Sequence, residues 1–255
     1  MGYVFDFNDA RTYDAWFNQD RHRYCLNLEI KLLLDFLSVK KGQRILDIGC
    51  GTGISLEPLL DKGLSLTGID PSLYMLDIAS KKFKNKVDIH RGSAEDLPFD
   101  DNEFDSVFFF TSLEFTERPG KAIEEACRVA KDTIVICVLN KHAPLNLFRR
   151  VKGFFAPTIY NHAYFFSIWE LKKILHAILG KVPVKWSTTL QFPFTHGKIA
   201  GCIEGFKIIQ KSFFGTFIAM KIKPVPTFRT IPMPLKINRQ KAYKPATGLA
   251  TRMKP

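Results

Sequence analysis

The sequence predicts an α/β fold, a doubly wound and mostly parallel sheet with helices on both faces. Three observations carry that expectation. Between residues 44 and 140, short apolar runs alternate with amphipathic helical stretches. One of those runs, FDSVFFF, is too apolar to lie at an exposed edge. The first run opens directly into a glycine-rich loop, the junction at which open α/β sheets hold ligands.

The elements follow in order. RILDIG (44–49) reads as a buried strand, with a helix after it to about Leu60. LSLTGID (64–70) is a second strand, ended by Pro71 at the first position of a helix through SLYMLDIASKKF. VDIHRG (87–92) and FDSVFFF (104–110) are the third and fourth strands. GKAIEEACRVA (120–130) places Ile123, Ala126, Cys127 and Ala130 at helical core spacing, and TIVICVL (133–139) is the fifth strand. The rhythm then breaks. Residues 142–169 are dense in aromatics, from Phe148 to Trp169, with His142 and His162 among them. Ser167 and Glu170 form an S-x-x-E capping box for the helix IWELKKILHAIL, which Gly180 ends. VKWSTTLQ (184–191) and FGTFIAMKI (214–222) complete seven strands.

The expected organisation is an N-terminal cap of helices over 1–43, a catalytic domain over 44–223 and an extended basic tail over 224–255. Residues 141–213 of the domain are expected to hold an aromatic-rich lid. The tail contains 6 of the chain's 14 prolines.

Composition removes several classes. At 255 residues, with 46% hydrophobic and 24% charged residues, the chain is neither disordered throughout nor a disulfide-dense miniprotein. Its five cysteines are scattered without a CxxC pair, so no metal site is expected and a reducing cytosol fits. Charge is uneven. Residues 1–140 hold 17 basic and 23 acidic side chains, whereas residues 141–255 hold 20 basic and only 2 acidic. The C-terminal half therefore presents either a solvated basic surface or a surface for an anionic partner, a membrane face included. No nucleic-acid-binding module accompanies it, so nucleic acid is the minor option.

The chemistry is carried by Asp47-Ile48-Gly49-Cys50-Gly51-Thr52-Gly53, between a strand and the segment after it. Glycines there permit positive φ and close approach of a ligand to the backbone. A dinucleotide fingerprint would need glycine at 54, where this chain has Ile54. Asp47, two residues before the first glycine, suits a ligand bearing an ammonium group. Asp70, 19 residues after Gly51, can accept both hydroxyls of a ribose, cap the following helix, or do both.

RILDIGCGTG, LTGIDPSLYML and RGSAEDLPFDDNEFDSVFF, in that order and spacing, resemble the successive motifs of class I S-adenosylmethionine-dependent methyltransferases, nearest to their type 11 group. The resemblance covers about residues 40–140 and implies a Rossmann-like seven-stranded fold. It also implies methyl transfer by in-line displacement to a small-molecule or lipid-like acceptor, anionic or aromatic. By the same resemblance Asp47 helps hold the methionine ammonium, and Gly49, Cys50, Gly51, Thr52 and Gly53 line the cofactor. Asp70 and Pro71 take the ribose side and Met75 lies against adenine, with Ser93, Ala94 and Glu95 at the adenine edge. Thr111 lies at the end of the fourth strand. Many relatives carry Asp where this chain has Ser93, so recognition there falls to backbone groups. Tyr13-Asp14-Ala15-Trp16-Phe17 resembles the cap segment of such enzymes, in which Tyr13 and Trp16 either cover the cofactor or staple the first helix to the sheet.

A sulfonium is already a good leaving centre, so the protein contributes alignment and dryness, and a general base only where the acceptor must lose a proton. Glu114 and His142, just past the fourth and fifth strands, are the candidates, with Tyr160 behind them. Each has an equally simple structural reading as a surface or packing residue. TSLEF (111–115) stands where enzymes that methylate base amino groups carry an Asn/Asp-Pro-Pro-Tyr tetrapeptide. Two alternatives remain open: the same domain steered to RNA or protein by its basic half, and a cofactor-binding scaffold without turnover.

Overall fold

The computed structural model describes residues 2–17, 19–155, 158–190 and 212–224. Seven strands form one sheet: β1 (Arg44–Ile48), β2 (Ser65–Asp70), β3 (Asp88–Arg91), β4 (Phe104–Phe110), β5 (Ala130–Leu139), β6 (Lys185–Thr189) and β7 (Phe217–Ile222). Their order is β3-β2-β1-β4-β5-β7-β6, parallel except where β7 runs antiparallel to β5 and β6. The fold is the Rossmann-like one that the strand rhythm implies. Because β1 lies between β2 and β4, the chain leaves it in one direction and later resumes on its other side. The carboxyl ends of β1 and β4 thus flank the crevice at which such sheets bind ligands.

A period of two sorts the side chains. Along β5, Ile134, Ile136 and Val138 enter one core with Val107 and Phe109 of β4. The intervening Val135, Cys137 and Leu139 enter the other with Phe108 and Phe110. The first core is closed by α4 (Pro119–Val129) and α6 (Ile168–Leu179), through Ile123, Ala126, Leu171 and Leu175. The second is closed by α2 (Asp20–Leu37) and α3 (Leu73–Phe83), through Leu33, Phe36, Leu76 and Phe83. The α6 capping box forms as its sequence requires: Glu170 N–H donates to Ser167 Oγ at 3.1 Å, and Ser167 N–H to Glu170 Oε2 at 2.8 Å.

Two features differ from the sequence reading. No α-helix follows β1; turns run from Gly49 to Leu56 and give way to a 3-10 helix at Glu57–Lys62. Gly49, Gly51 and Gly53 all hold positive φ, and Pro58 has no N–H to give back to Ile54. Gly63, also left-handed, then ends the segment before an α-helix could propagate. Residues 142–169 contain a helix, α5 (Pro144–Phe155), and a 3-10 turn at Ile159–Asn161. Before β1 lie α1 (Phe7–Phe17) and α2, and α2 is part of the sheet's packing rather than only a cap. Most of the lid segment between 190 and 212, and the tail beyond 224, lie outside the described residues.

Candidate functional site

The carboxyl ends of β1, β2 and β4 open into a cavity of about 400 Å³, within the usual range for a small-molecule site. Its floor is the left-handed loop. Gly51 N–H donates to Asp70 Oδ2 at 2.9 Å, and Ser72 N–H donates to Asp70 Oδ1 at 2.8 Å. One carboxylate therefore ties the ends of β1 and β2 together. Each of its oxygens still has a second lone pair to offer the cavity that Asp70 lines. Burial raises the Asp70 pKa to about 6 against the pull of those two N–H groups, so the apo carboxylate becomes fully ionised only above that pH.

Gly49, Cys50, Gly51, Asp70, Pro71, Met75, Ser93, Ala94, Glu95, Thr111 and Tyr13 all line this cavity. Asp47, Thr52, Gly53 and Trp16 do not. Thr52 is buried and donates from Oγ1 to Asp14 at 2.6 Å. Gly53 lies against the Phe83 ring, and Trp16 stacks on His22 at 3.7 Å. Asp47 is fully buried; its Oδ2 accepts a hydrogen bond from Ser55, which does line the cavity, while its Oδ1 has no partner. Burial pushes its pKa to about 8.

Sequence reading missed the wall opposite the glycine loop. The N-terminal strap Gly2–Phe5 crosses the cavity, held by Tyr3 N–H to the Phe115 carbonyl at 3.0 Å and by Ser72 Oγ to the Phe5 carbonyl at 2.7 Å. Phe5 meets Tyr13 and Phe115 edge-on, and Tyr3 stacks on His162 at 4.1 Å. Its one sequence signal is the aromatic spacing in GYVFDF. Glu95 accepts N–H bonds from Glu117 and Arg118 and a hydroxyl bond from Ser93, so it braces the rim.

The Methyltransferase domain family matches residues 46–137. A demethylmenaquinone methyltransferase of Staphylococcus carnosus is 30% identical over 202 residues, 75% of this chain and 80% of that protein. The chain belongs to the class I S-adenosylmethionine-dependent methyltransferases. An uncharacterised protein of Methanocaldococcus jannaschii is 36% identical over 189 residues, 73% of this chain and 85% of its own length. The demethylmenaquinone methyltransferase of Renibacterium salmoninarum is 40% identical over 101 residues, which span only 42% of its length. A solved S-adenosylmethionine-dependent methyltransferase of Thermotoga maritima shares the fold at a TM-score of 0.67 and 24% identity, over 86% of this chain and 97% of that one.

The residues of this methyltransferase suit that cofactor. Asp70 offers two free lone pairs to a diol, and the glycine loop lets a ligand approach the backbone. The orphan Oδ1 of Asp47, buried beside Ser55, is an acceptor that a cationic group nearby would stabilise.

The three acid–base candidates lie elsewhere. His142 is exposed and meets Trp169 edge-on at 5.7 Å; it is not a cavity residue. The strand-end expectation failed there because the chain turns outward after Asn140 into α5. Glu114 is buried behind the rim, with Leu139 N–H donating to its Oε1 at 2.7 Å and its Oε2 unpaired. Burial raises its pKa to about 8. Tyr160 lies under the Arg149 guanidinium, 4.8 Å from the ring centre. Near both is a residue the sequence reading passed over, Glu29 of α2. It is part-buried. Burial lifts its pKa to about 7 although Arg149 pulls it down. Glu29 and Tyr160 both act electrostatically on the Tyr13 phenol, which faces the cofactor cavity.

These carboxylates set the stability profile. Asp47, Glu29 and Glu114 hold protons in the folded state that the unfolded chain releases near pH 4 to 4.5. Folded protein thus binds more protons between about pH 4.5 and 8, and stability must fall as pH rises through that window. Thermal melts of the apo protein at intervals from pH 5 to 8 should show a falling midpoint, with a shallower fall in Glu114→Gln. A midpoint that climbs across the window would contradict this.

Proposed function

We propose that this protein methylates a small aromatic acceptor of quinol or phenol type, with Glu29 taking the acceptor's proton. The grouping of Glu29, Arg149 and Tyr160 near Tyr13, itself a lining residue of the Asp70 cavity, carries the reading. The demethylmenaquinone methyltransferase relatives support the acceptor class. When bound, S-adenosylmethionine supplies a methyl group on a sulfonium centre whose departure leaves a neutral thioether.

The chain's own residues do the rest. Asp70 fixes the ribose side of the cofactor and, through Gly51 N–H, the shape of the loop beneath it. The strap Gly2–Phe5 and Tyr13 close the cavity over aromatic surface, keeping water from the reacting centres. Phe5, Tyr13 and Phe115 line it with aromatic rings, whose faces attract a cation. Near Tyr13, Arg149 and Tyr160 orient an oxygen-bearing ring, and Glu29, poised near neutrality, accepts its proton.

The test is turnover with a panel of hydroquinones and phenols, followed by mass analysis of the product. Wild type should form methylated product with a rate that rises through about pH 7 as Glu29 ionises. Glu29→Gln should lower kcat by about 100-fold or more while cofactor affinity stays unchanged. A Glu29→Gln enzyme with the wild-type rate would remove the base assignment. Methyl incorporation into RNA or protein, with none into the aromatic panel, would remove the acceptor class.

A further inference from the structure

Helix α5 carries an apolar stripe on its outer face that no described residue covers. Leu147 is 56% exposed, Phe148 61%, Val151 48% and Phe155 87%. At about 100° per residue these four fall within one arc of roughly 100°, a continuous apolar seam rather than scattered surface residues. The inner face is fixed. Ala143 and Asn146 are fully buried, Asn146 Nδ2 donates to the carbonyls of Asn140 and Thr216 at 2.9 Å, and Gly153 packs against Asn161. The helix therefore cannot roll to hide the seam without breaking those bonds.

The surroundings specify the partner. From Lys141 to Trp169 there is no acidic residue; Lys141 is paired with Glu170 at 2.8 Å, and Arg149, Arg150 and Lys152 supply the remaining basic charge of the segment. Arg150 is exposed beside the seam. At the N-terminal end of α5, exposed Trp169 stacks on exposed Phe213 at 5.1 Å and meets His142 edge-on. Such aromatics are at home at a membrane–water boundary. Among the described residues no helix is long and apolar enough to cross a membrane. Apolar seam, basic flank and boundary aromatics together describe a helix that lies in the plane of a bilayer surface.

We propose that α5 docks on an anionic lipid surface through this seam, with its inner face turned toward Tyr160. Arg149, on the side of α5 away from the seam, reaches the Tyr160 ring at 4.8 Å. An acceptor dissolved in the bilayer would then be delivered close to that pair. This extends the acceptor reading to how the acceptor is reached. Because docking is measured without turnover, either reading can fail while the other stands.

The experiment is flotation of the full chain with vesicles of phosphatidylcholine alone and of equal parts phosphatidylcholine and phosphatidylglycerol. Wild type should float with the anionic vesicles and not with the zwitterionic ones. The double variant Leu147→Gln/Phe155→Gln keeps every charge and should bind anionic vesicles about tenfold more weakly or worse. Its cofactor affinity, measured beside wild type, should be unchanged, which certifies the fold. Wild type that ignores anionic vesicles would overturn the proposal. So would a double variant that floats like wild type, since the basic residues beyond 224 would then be the attachment. Sedimentation equilibrium showing a wild-type dimer that the double variant loses would assign the seam to a second copy instead.

Discussion

Replacing Asp70 by alanine should weaken S-adenosylmethionine binding by about 2–3 kcal/mol, roughly 30–150-fold in Kd. The expectation rests on two contributions from one side chain. Asp70 offers its second lone pairs to the cavity, and it also holds Gly51 N–H and Ser72 N–H, so its loss loosens the loop on which the ligand sits. Asp70→Asn is not a gentle control, because its amide N–H₂ must face one of those two backbone donors. Affinity should also fall in wild type below about pH 6, as the carboxylate takes up a proton and forfeits acceptor capacity. Titration calorimetry on folded Asp70→Ala measures this. An unchanged Kd would show that the ribose assignment is wrong.

Gly53→Ala should cost about 2–5 kcal/mol of stability, a large share of what holds a domain of this size. Gly53 has φ +80°, and an added Cβ would lie 2.1 Å from Cε2 of Phe83, a buried ring. The left-handed conformation contributes about 1–2 kcal/mol and the forced repacking about 1–3. Gly51 is the instructive comparison. It is also left-handed, at φ +54°, but nothing lies within 4 Å of an added Cβ. Gly51→Ala should therefore lose only about 1–2 kcal/mol. Because Gly51 lines the cavity, its variant should lose cofactor affinity as well. Urea denaturation of the two variants separates the effects. Equal stability of Gly53→Ala and Gly51→Ala would contradict the packing argument.

The sheet was legible because its strands declare themselves by composition: FDSVFFF and TIVICVL leave little choice but burial, and the intervening helices carry their periodicity openly. The glycine loop was legible for the same local reason. What failed was what depends on tertiary partners. The segment after β1 looked helical because its apolar spacing is helical, and only the left-handed glycines with Pro58 forbid it. The strap Gly2–Phe5 gains its order from the Phe115 carbonyl, which nothing in its own residues announces. Glu29 reads from sequence as one more polar position on an amphipathic helix. It becomes a candidate base only when α5 brings Arg149 and the turn at Ile159–Asn161 brings Tyr160 beside it. His142 was placed by a strand-end rule that holds for β1, β2 and β4, but the chain leaves β5 away from the cavity.

The most direct measurement is calorimetric titration of the purified protein with S-adenosylmethionine and S-adenosylhomocysteine, with NADH as the control. The Asp70 cleft and the absence of glycine at Ile54 require micromolar binding of both sulfur nucleosides and none of NADH. Binding of NADH in their place, or of none of the three, would contradict the reading of the cleft on which the rest depends.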